Sequence, residues 1–254
     1  MFKAKTDRVQ KIFDVNSSSV KQLEGLLKGN TNVYIDYANV RPWSFKLGWN
    51  IEFRRLKQFF DSFDNMQSIK IYDGTLEGDG VSEKSSRLKK SVFKDGFKTK
   101  PVKIMKHSID FTSIKLTATD LLEQFIRQCL IRKYDIATIE FLNLKFKDMN
   151  DGGKFYIEDR KCNFDVEIGV DMLMDFERND VTTYVLWSGD SDFYDPVKKL
   201  LQEEKNVVLF ATARKVSTEL NSLKGNGLFV FDIQKIRNYI CWKNQIQEEV
   251  KKIL

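Results

Sequence analysis

Histidine is nearly absent: His107 is the only one in 254 residues. That excludes histidine-centred triads and histidine-rich metal sites, so any metal here is a hard cation held by carboxylate oxygens. Cysteine is scarce too. Cys129, Cys162 and Cys241 stand far apart with no C-x-x-C pair, which argues against a zinc or disulfide framework and for a reducing, cytoplasmic setting. No apolar run of about 18 residues occurs, so no membrane span is expected. The opening stretch MFKAKTDRVQKIFDV lacks the apolar core of a secretory signal. Neither G-x-x-x-x-G-K-[ST] nor G-x-G-x-x-G is present, which removes the P-loop and dinucleotide-binding readings. Internal repeats and low-complexity linkers are also missing.

What is present is a globular composition, 42% hydrophobic and 31% charged. The length suits one large α/β domain or a domain with an insertion. The formal net charge is +6, and a basic excess points to an acidic partner, most often nucleic acid.

Along the chain, strands alternate with helices. A helix is expected near 18–28, strands at 32–36, 68–74 and 97–106, and helices at 51–63 and 82–95, with an aromatic loop at 37–50. A helix at 119–135 follows. The stretch 139–161 reads as a β-hairpin turned by Asn150-Asp151-Gly152-Gly153. Then come a helix at 164–178, a strand at 181–189, a helix at 192–204, a strand at 206–212, a helix at 216–223, a strand at 228–233 and an amphipathic helix at 234–254. Such alternation means a mostly parallel sheet flanked by helices, with ligands bound at the carboxyl ends of the strands. Residues 107–161 interrupt the alternation and read as an insertion of a helix plus a β-hairpin.

Acidic residues mark several strand ends. Asp36 closes the first strand, Asp190 and Asp192 follow the strand at 181–189, and Asp165 opens the helix at 164–178. In a parallel sheet these meet on one edge. Four carboxylates together repel unless cations sit among them, and Mg²⁺ or Mn²⁺ suits oxygen ligands. Local roles compete: Asp192 is placed to N-cap the next helix, Asp190 to sit in a turn, and Asp165 to cap its own helix. Asp171 lies six residues after Asp165 and does not share its helical face, so it is a secondary candidate. Asp73 and Asp232 read as turn or cap residues.

Three blocks carry a resemblance: Y-I-D-Y-A-N (34–39), K-C-N-F-D-V-E-I-G-V-D-M-L (161–173) and S-G-D-S-D-F-Y-D-P-V (188–197). The chain resembles NYN-domain proteins of the LabA/DUF88 group, within the PIN-like nuclease superfamily, over about residues 31–233. The resemblance implies a Rossmann-like sheet and a metal-dependent endoribonuclease. It implies metal-binding and catalytic roles for Asp36, Asp165, Asp190 and Asp192, with Asp171 matching a further family position and Asn39 and Ser188 in support. Residues 1–30 then form an N-terminal helical extension and 234–254 a C-terminal helix. The chain departs from the pattern at Cys162, in the long 107–161 connection, and by one extra residue before Pro196.

The expected substrate is RNA, single-stranded, cut by hydrolysis with Mg²⁺ or Mn²⁺. Expected phosphate contacts are Arg41, Lys46, Arg54 and Arg55 near the first strand end, Lys84, Arg87, Lys89 and Lys90 on the helix at 82–95 (the last two reading equally as a solvated helix face), and Arg214 and Lys215 after a later strand. Tyr37, Trp43 and Trp49 either stack on unpaired bases or pack the loop onto the domain. The alternative is an RNA-binding or protein-interaction module whose acidic site is weak or unused. A phosphatase of the haloacid-dehalogenase kind is disfavoured, because residue 38, where a second aspartate would be needed, is alanine. The 234–254 helix and the hairpin are surfaces that would support a homodimer.

Overall fold

The computed structural model describes residues 1–108, 136–178, 180–212 and 215–254. The chain divides into two compact units, Met1–Val102 with Cys162–Leu254, and Lys103–Lys161. The strands are β1 (Thr31–Asp36), β2 (Met66–Thr75), β3 (Phe97–Pro101), β4 (Lys103–Ser108), β5 (Tyr156–Lys161), β6 (Thr183–Trp187), β7 (Asn206–Ala211) and β8 (Leu228–Asp232).

In the larger unit six strands form one sheet in the order β3-β2-β1-β6-β7-β8, every neighbouring pair parallel. The chain walks outward from β1 to β3, returns to β6 beside β1, and walks outward the other way to β8. The reversal lies between β1 and β6, so their carboxyl ends open the crevice where doubly wound sheets bind ligands. Both strands are buried along their whole length, as the centre of a sheet covered on two faces requires.

Alternate residues divide the two faces. Trp187, Phe210 and Phe231 pack ring against ring in tilted contacts, and Phe210 meets Phe60 of the helix Phe53–Phe60. On the other face, Asn32, Tyr34, Lys70 and Tyr72 meet the helix Asp165–Arg178 through hydrogen bonds. Asp175 accepts from Asn32 Nδ2 (2.8 Å), Tyr34 Oη (2.5 Å) and Lys70 Nζ (2.8 Å), and Asp171 accepts from Tyr72 Oη (2.6 Å). A helix is thus seated on a sheet by a polar layer whose members bond one another, as burial demands, with Asn32 Oδ1 left without a partner among the described residues.

Several sequence expectations change. A helix at Asp7–Val15, capped by the Thr6 side chain, precedes the expected one, which runs Ser18–Leu26. The aromatic stretch after β1 is a series of short helical turns, Tyr37–Val40, Arg41–Trp43 and Ser44–Leu47. The expected terminal helix at 234–254 is broken into turns at Ile233–Ile236, Arg237–Ile240, Lys243–Gln245 and Glu248–Lys251. It breaks because the backbone there is claimed by another segment: Ile51 bridges to Cys241, Glu52 N–H donates to Ile240 O (2.8 Å) and Trp242 N–H to Asn50 O (3.1 Å).

In the smaller unit β4 and β5 pair antiparallel, and Ile136–Asp151 is a helix. The expected hairpin over 139–161 is therefore wrong in its first arm. Ile139, Phe141 and the apolar residues after them alternate like a strand, yet the same run also satisfies a helical period. Gly152 and Gly153 end that helix instead of turning a hairpin: Gly153 takes φ +80°, the left-handed region that favours glycine. The partner of β5 is β4, the continuation of the expected strand at 97–106, which divides at Val102. The expected helix at 119–135 lies outside the described residues.

Candidate active site

Asp36 is the last residue of β1 and is 3% exposed. Its side chain caps the turn that follows, accepting from Asn39 N–H at 3.2 Å. Register places Ile35 beside Trp187, so the next residue of the neighbouring strand, Ser188, stands at the same sheet edge. Ser188 is fully buried and its Oγ donates to Asp36 Oδ2 at 3.2 Å. The same Oγ accepts from Asp190 N–H at 3.3 Å. Asn39 closes the link from the other side, its Nδ2 donating to Asp190 Oδ2 at 3.2 Å. One asparagine therefore holds two aspartates, one by its backbone and one by its side chain. This is the physical content of the D-x-x-N spacing.

Gly189 is required by close approach. A Cβ there would fall 1.5 Å from Lys215 O, while Ser217 N–H donates to Gly189 O at 2.9 Å. Asp190 then caps the turn Ser191–Phe193, accepting from Asp192 N–H at 3.3 Å. The capping expected of Asp192 thus belongs to Asp190. Helix Tyr194–Gln202 begins without a side-chain cap, and Asp192 is left exposed. At the start of the helix Asp165–Arg178, Asn163 Oδ1 accepts the Asp165 N–H at 2.7 Å.

The electrostatics tie the four carboxylates together. Burial pushes the Asp36 carboxyl up to about 7, and the charges of Asp165 and Asp190 add to this against the hydrogen bonds from Asn39 and Ser188. Burial likewise raises Asp165 to about 6, with Asp190 and Asp192 contributing. Among the described residues no lysine or arginine forms an ion pair with any of the four. Nor do any three acidic, histidine or cysteine side chains among the described residues converge as a ready-made cage. A cluster of mutually repelling hard oxygen donors without a counter-cation fits a divalent ion of the magnesium kind, which binds through one or two carboxylates and keeps several waters.

Asp171 belongs elsewhere. Tyr72 Oη and Lys70 Nζ (3.7 Å) occupy it in the polar layer beneath the helix. Lys89 is also displaced from its expected role. It is 2% exposed, and its Nζ donates to Asp73 Oδ2 at 2.6 Å beneath the rings of Tyr37 and Phe53. It cannot reach a phosphate, and Asp73 is the partner of a buried ion pair, not a turn residue. Trp43 and Trp49 are buried, with Trp49 Nε1 donating to Gln234 Oε1 at 2.8 Å, and Tyr37 packs edge-on against Phe53. None of the three offers a free face for a base; Phe45, 92% exposed, is the aromatic side chain this segment turns to solvent.

Of the basic candidates, Arg41, Lys46, Arg54, Lys84, Arg87 and Lys90 are exposed and Lys215 is half-buried. Arg87 pairs with Glu83 (3.8 Å) and Lys90 with Asp95 (4.0 Å). Arg214 lies outside the described residues. Lys100, which sequence reasoning passed over, pairs with Glu167 and sits 4.5 Å from the centre of the Phe164 ring, beside Asp165. Its position at the end of β3, on the same sheet edge, was the available signal.

No described helix is long and apolar enough to cross a membrane. No protein with a curated description matches the chain. Among solved structures, the crystal structure of a protein of unknown function from Vibrio parahaemolyticus RIMD 2210633 is similar at 16% identity and a TM-score of 0.47, over 85% of this chain and 98% of that one. The family model described as the NYN domain matches residues 30–226, most of the six-stranded unit and all three acidic strand-end blocks. The chain belongs to the NYN domain family, a nuclease-like family of the PIN-like superfamily.

Proposed function

We propose that the protein is a divalent-metal-dependent endoribonuclease acting on single-stranded RNA. The observation that carries this reading is the electrostatic coupling of Asp36, Asp165, Asp190 and Asp192 at the β1/β6 crevice, with no lysine or arginine among the described residues ion-paired to them. These four would hold Mg²⁺ or Mn²⁺. Such an ion supplies activated water and charge neutralisation at a phosphodiester. The chain's own residues supply position. Asn39 and Ser188 fix the carboxylates of Asp36 and Asp190 relative to each other, and Gly189 lets the backbone turn close enough to the Lys215–Ser217 segment to hold that geometry. The exposed Arg41, Lys46 and Arg54 would receive the phosphates of the strand on one side, and Lys84, Arg87, Lys90, Arg214 and Lys215 are the further candidates. Residues 31–233 would carry the activity.

The test is hydrolysis of a labelled single-stranded RNA by purified protein with Mn²⁺ or Mg²⁺. The expected result is internal cleavage, lost in Asp190→Asn and in chelator. The second reading is an RNA-binding module without turnover. That reading gains if wild type cuts nothing while RNA binding survives in Asp190→Asn.

A further inference from the structure

The helix Asp7–Val15, the helix Phe53–Phe60 and the C-terminal turns enclose a cavity of about 630 Å³, none of whose lining residues belongs to the carboxylate site. Two arginines stand at it, both partly buried. Arg8 donates from Nη1 to Tyr239 O (3.0 Å) and from Nη2 to Gln58 Oε1 (3.3 Å). Arg55 donates from Nη1 to Cys241 O (3.0 Å). These bonds anchor each guanidinium at one end and leave most of its N–H donors for another partner.

No carboxylate among the described residues pairs with either arginine. Glu52, three residues before Arg55, accepts from the backbone N–H groups of Arg54 and Arg55, and its charge offsets part of the strain on Arg8 without pairing with it. Burial, with the adjoining charge of Arg55, pulls Arg8 down to about 10, so two like charges are held together at a cost. Lys11 and Lys243 add two more cations at the rim, against Asp7 among the lining residues, while Lys251 there is already paired with Glu248. Ile246 and Leu254 supply an apolar wall.

We propose that this cavity binds a small organic polyphosphate, in chemical class a nucleoside di- or triphosphate, with its phosphates on Arg8 and Arg55 and its apolar part against Ile246 and Leu254. Guanidinium forks suit phosphate oxygens in pairs. Anchored forks lose little freedom on binding. The volume falls in the range of small-molecule sites, about 300–1,000 Å³. One monovalent anion would leave most of the positive charge unmet, whereas a polyphosphate matches it.

The experiment is calorimetric titration of the full chain with ADP and, separately, inorganic pyrophosphate, in chelator so that no metal draws phosphate to the aspartates. Lys11→Glu/Lys243→Glu is the informative variant, since neither side chain makes a hydrogen bond or ion pair among the described residues. ADP is expected to bind, and the double reversal to weaken it by about tenfold or more with the unfolding midpoint unchanged. Asp190→Asn should bind ADP as wild type does, which separates this site from the proposed nuclease centre. No binding of ADP at millimolar concentration, or equal affinity in the charge-reversed protein, overturns the proposal. Pyrophosphate binding as tightly as ADP overturns the role of the apolar wall. A 5′-phosphorylated oligoribonucleotide that displaces ADP and binds more tightly overturns the small-ligand assignment in favour of an RNA end.

Discussion

Lys89→Met should unfold the protein more easily without weakening RNA binding. The wild-type ammonium is 2% exposed and the Asp73 carboxylate it meets is 3% exposed. Burial pulls the lysine's pKa down and the Asp73 charge opposes that, so the pair is retained by mutual contact in a dry place. Methionine fills nearly the same volume but leaves Asp73 charged and unpartnered, a loss of about 3–5 kcal/mol for a buried pair broken from one side. For a chain of this size that is a fall in melting temperature of roughly 6–20 °C. Removing both charges together, in Lys89→Met/Asp73→Leu, should recover most of it, since well-packed apolar replacements of buried pairs are often neutral. Denaturant unfolding of the wild type and the variants measures the differences, with filter binding to single-stranded RNA in parallel. A single variant within about 1 kcal/mol of wild type, or one that loses RNA affinity at full stability, refutes the reasoning and returns Lys89 to the surface.

Other outcomes follow from the carboxylate edge. Asp36 and Asp165 have raised carboxyl pKa values, about 7 and about 6, so the folded state holds protons that the unfolded chain has released. In metal-free protein their contribution to stability is full below about pH 4 and is lost as pH rises through those values. Mn²⁺ should reverse this, raising the melting temperature more at about pH 8 than at about pH 5, where protons compete for the ligands; an equal shift at both pH values argues that the ion binds elsewhere. Asn39→Ala removes the 3.2 Å bond to Asp190 and should lower RNA cleavage by about 10–100-fold, mainly in kcat, while costing only about 1 kcal/mol of stability. Gly189→Ala drives a methyl group against Lys215 O and should cost about 3 kcal/mol or more, a loss readable by thermal unfolding and absent if that loop can yield.

The strand-end aspartates were visible in the sequence because strands and helices alternate, and alternation with parallel strands sends every strand's carboxyl end to one edge. Asp36 and Asp190 needed nothing more than that to be placed together. Which aspartate capped the next turn was not visible, since Asp190 and Asp192 are two residues apart and either can reach a nearby N–H; the packing of Gly189 on Lys215 decided for Asp190. Lys89 looked like its solvated neighbours because its partner, Asp73, is sixteen residues away on another element. The hairpin expected over 139–161 failed for a different reason: the apolar residues of what is the helix Ile136–Asp151 satisfy two periods at once, and Gly152-Gly153 serves a helix end as well as a hairpin turn. The C-terminal segment carries a helical pattern, but backbone bonding to residues 50–52 overrode it.

The polar layer beneath helix Asp165–Arg178 bears on how the site is aimed. An apolar interface lets a helix settle by small slides and rotations, because dispersion is indifferent to direction. Asp171 and Asp175, gripped by two tyrosines, a lysine and an asparagine, permit one azimuth and one axial setting, since any slide breaks several directional bonds at once. Asp165 stands at the far end of that helix, ten residues and about 15 Å from Asp175. The helix works as an indexed arm: its bearing is the hydroxyl and ammonium groups of the sheet, and its tip is a carboxylate. A change at Lys70 or Tyr34 can therefore misdirect chemistry it never touches, with the sheet itself left intact.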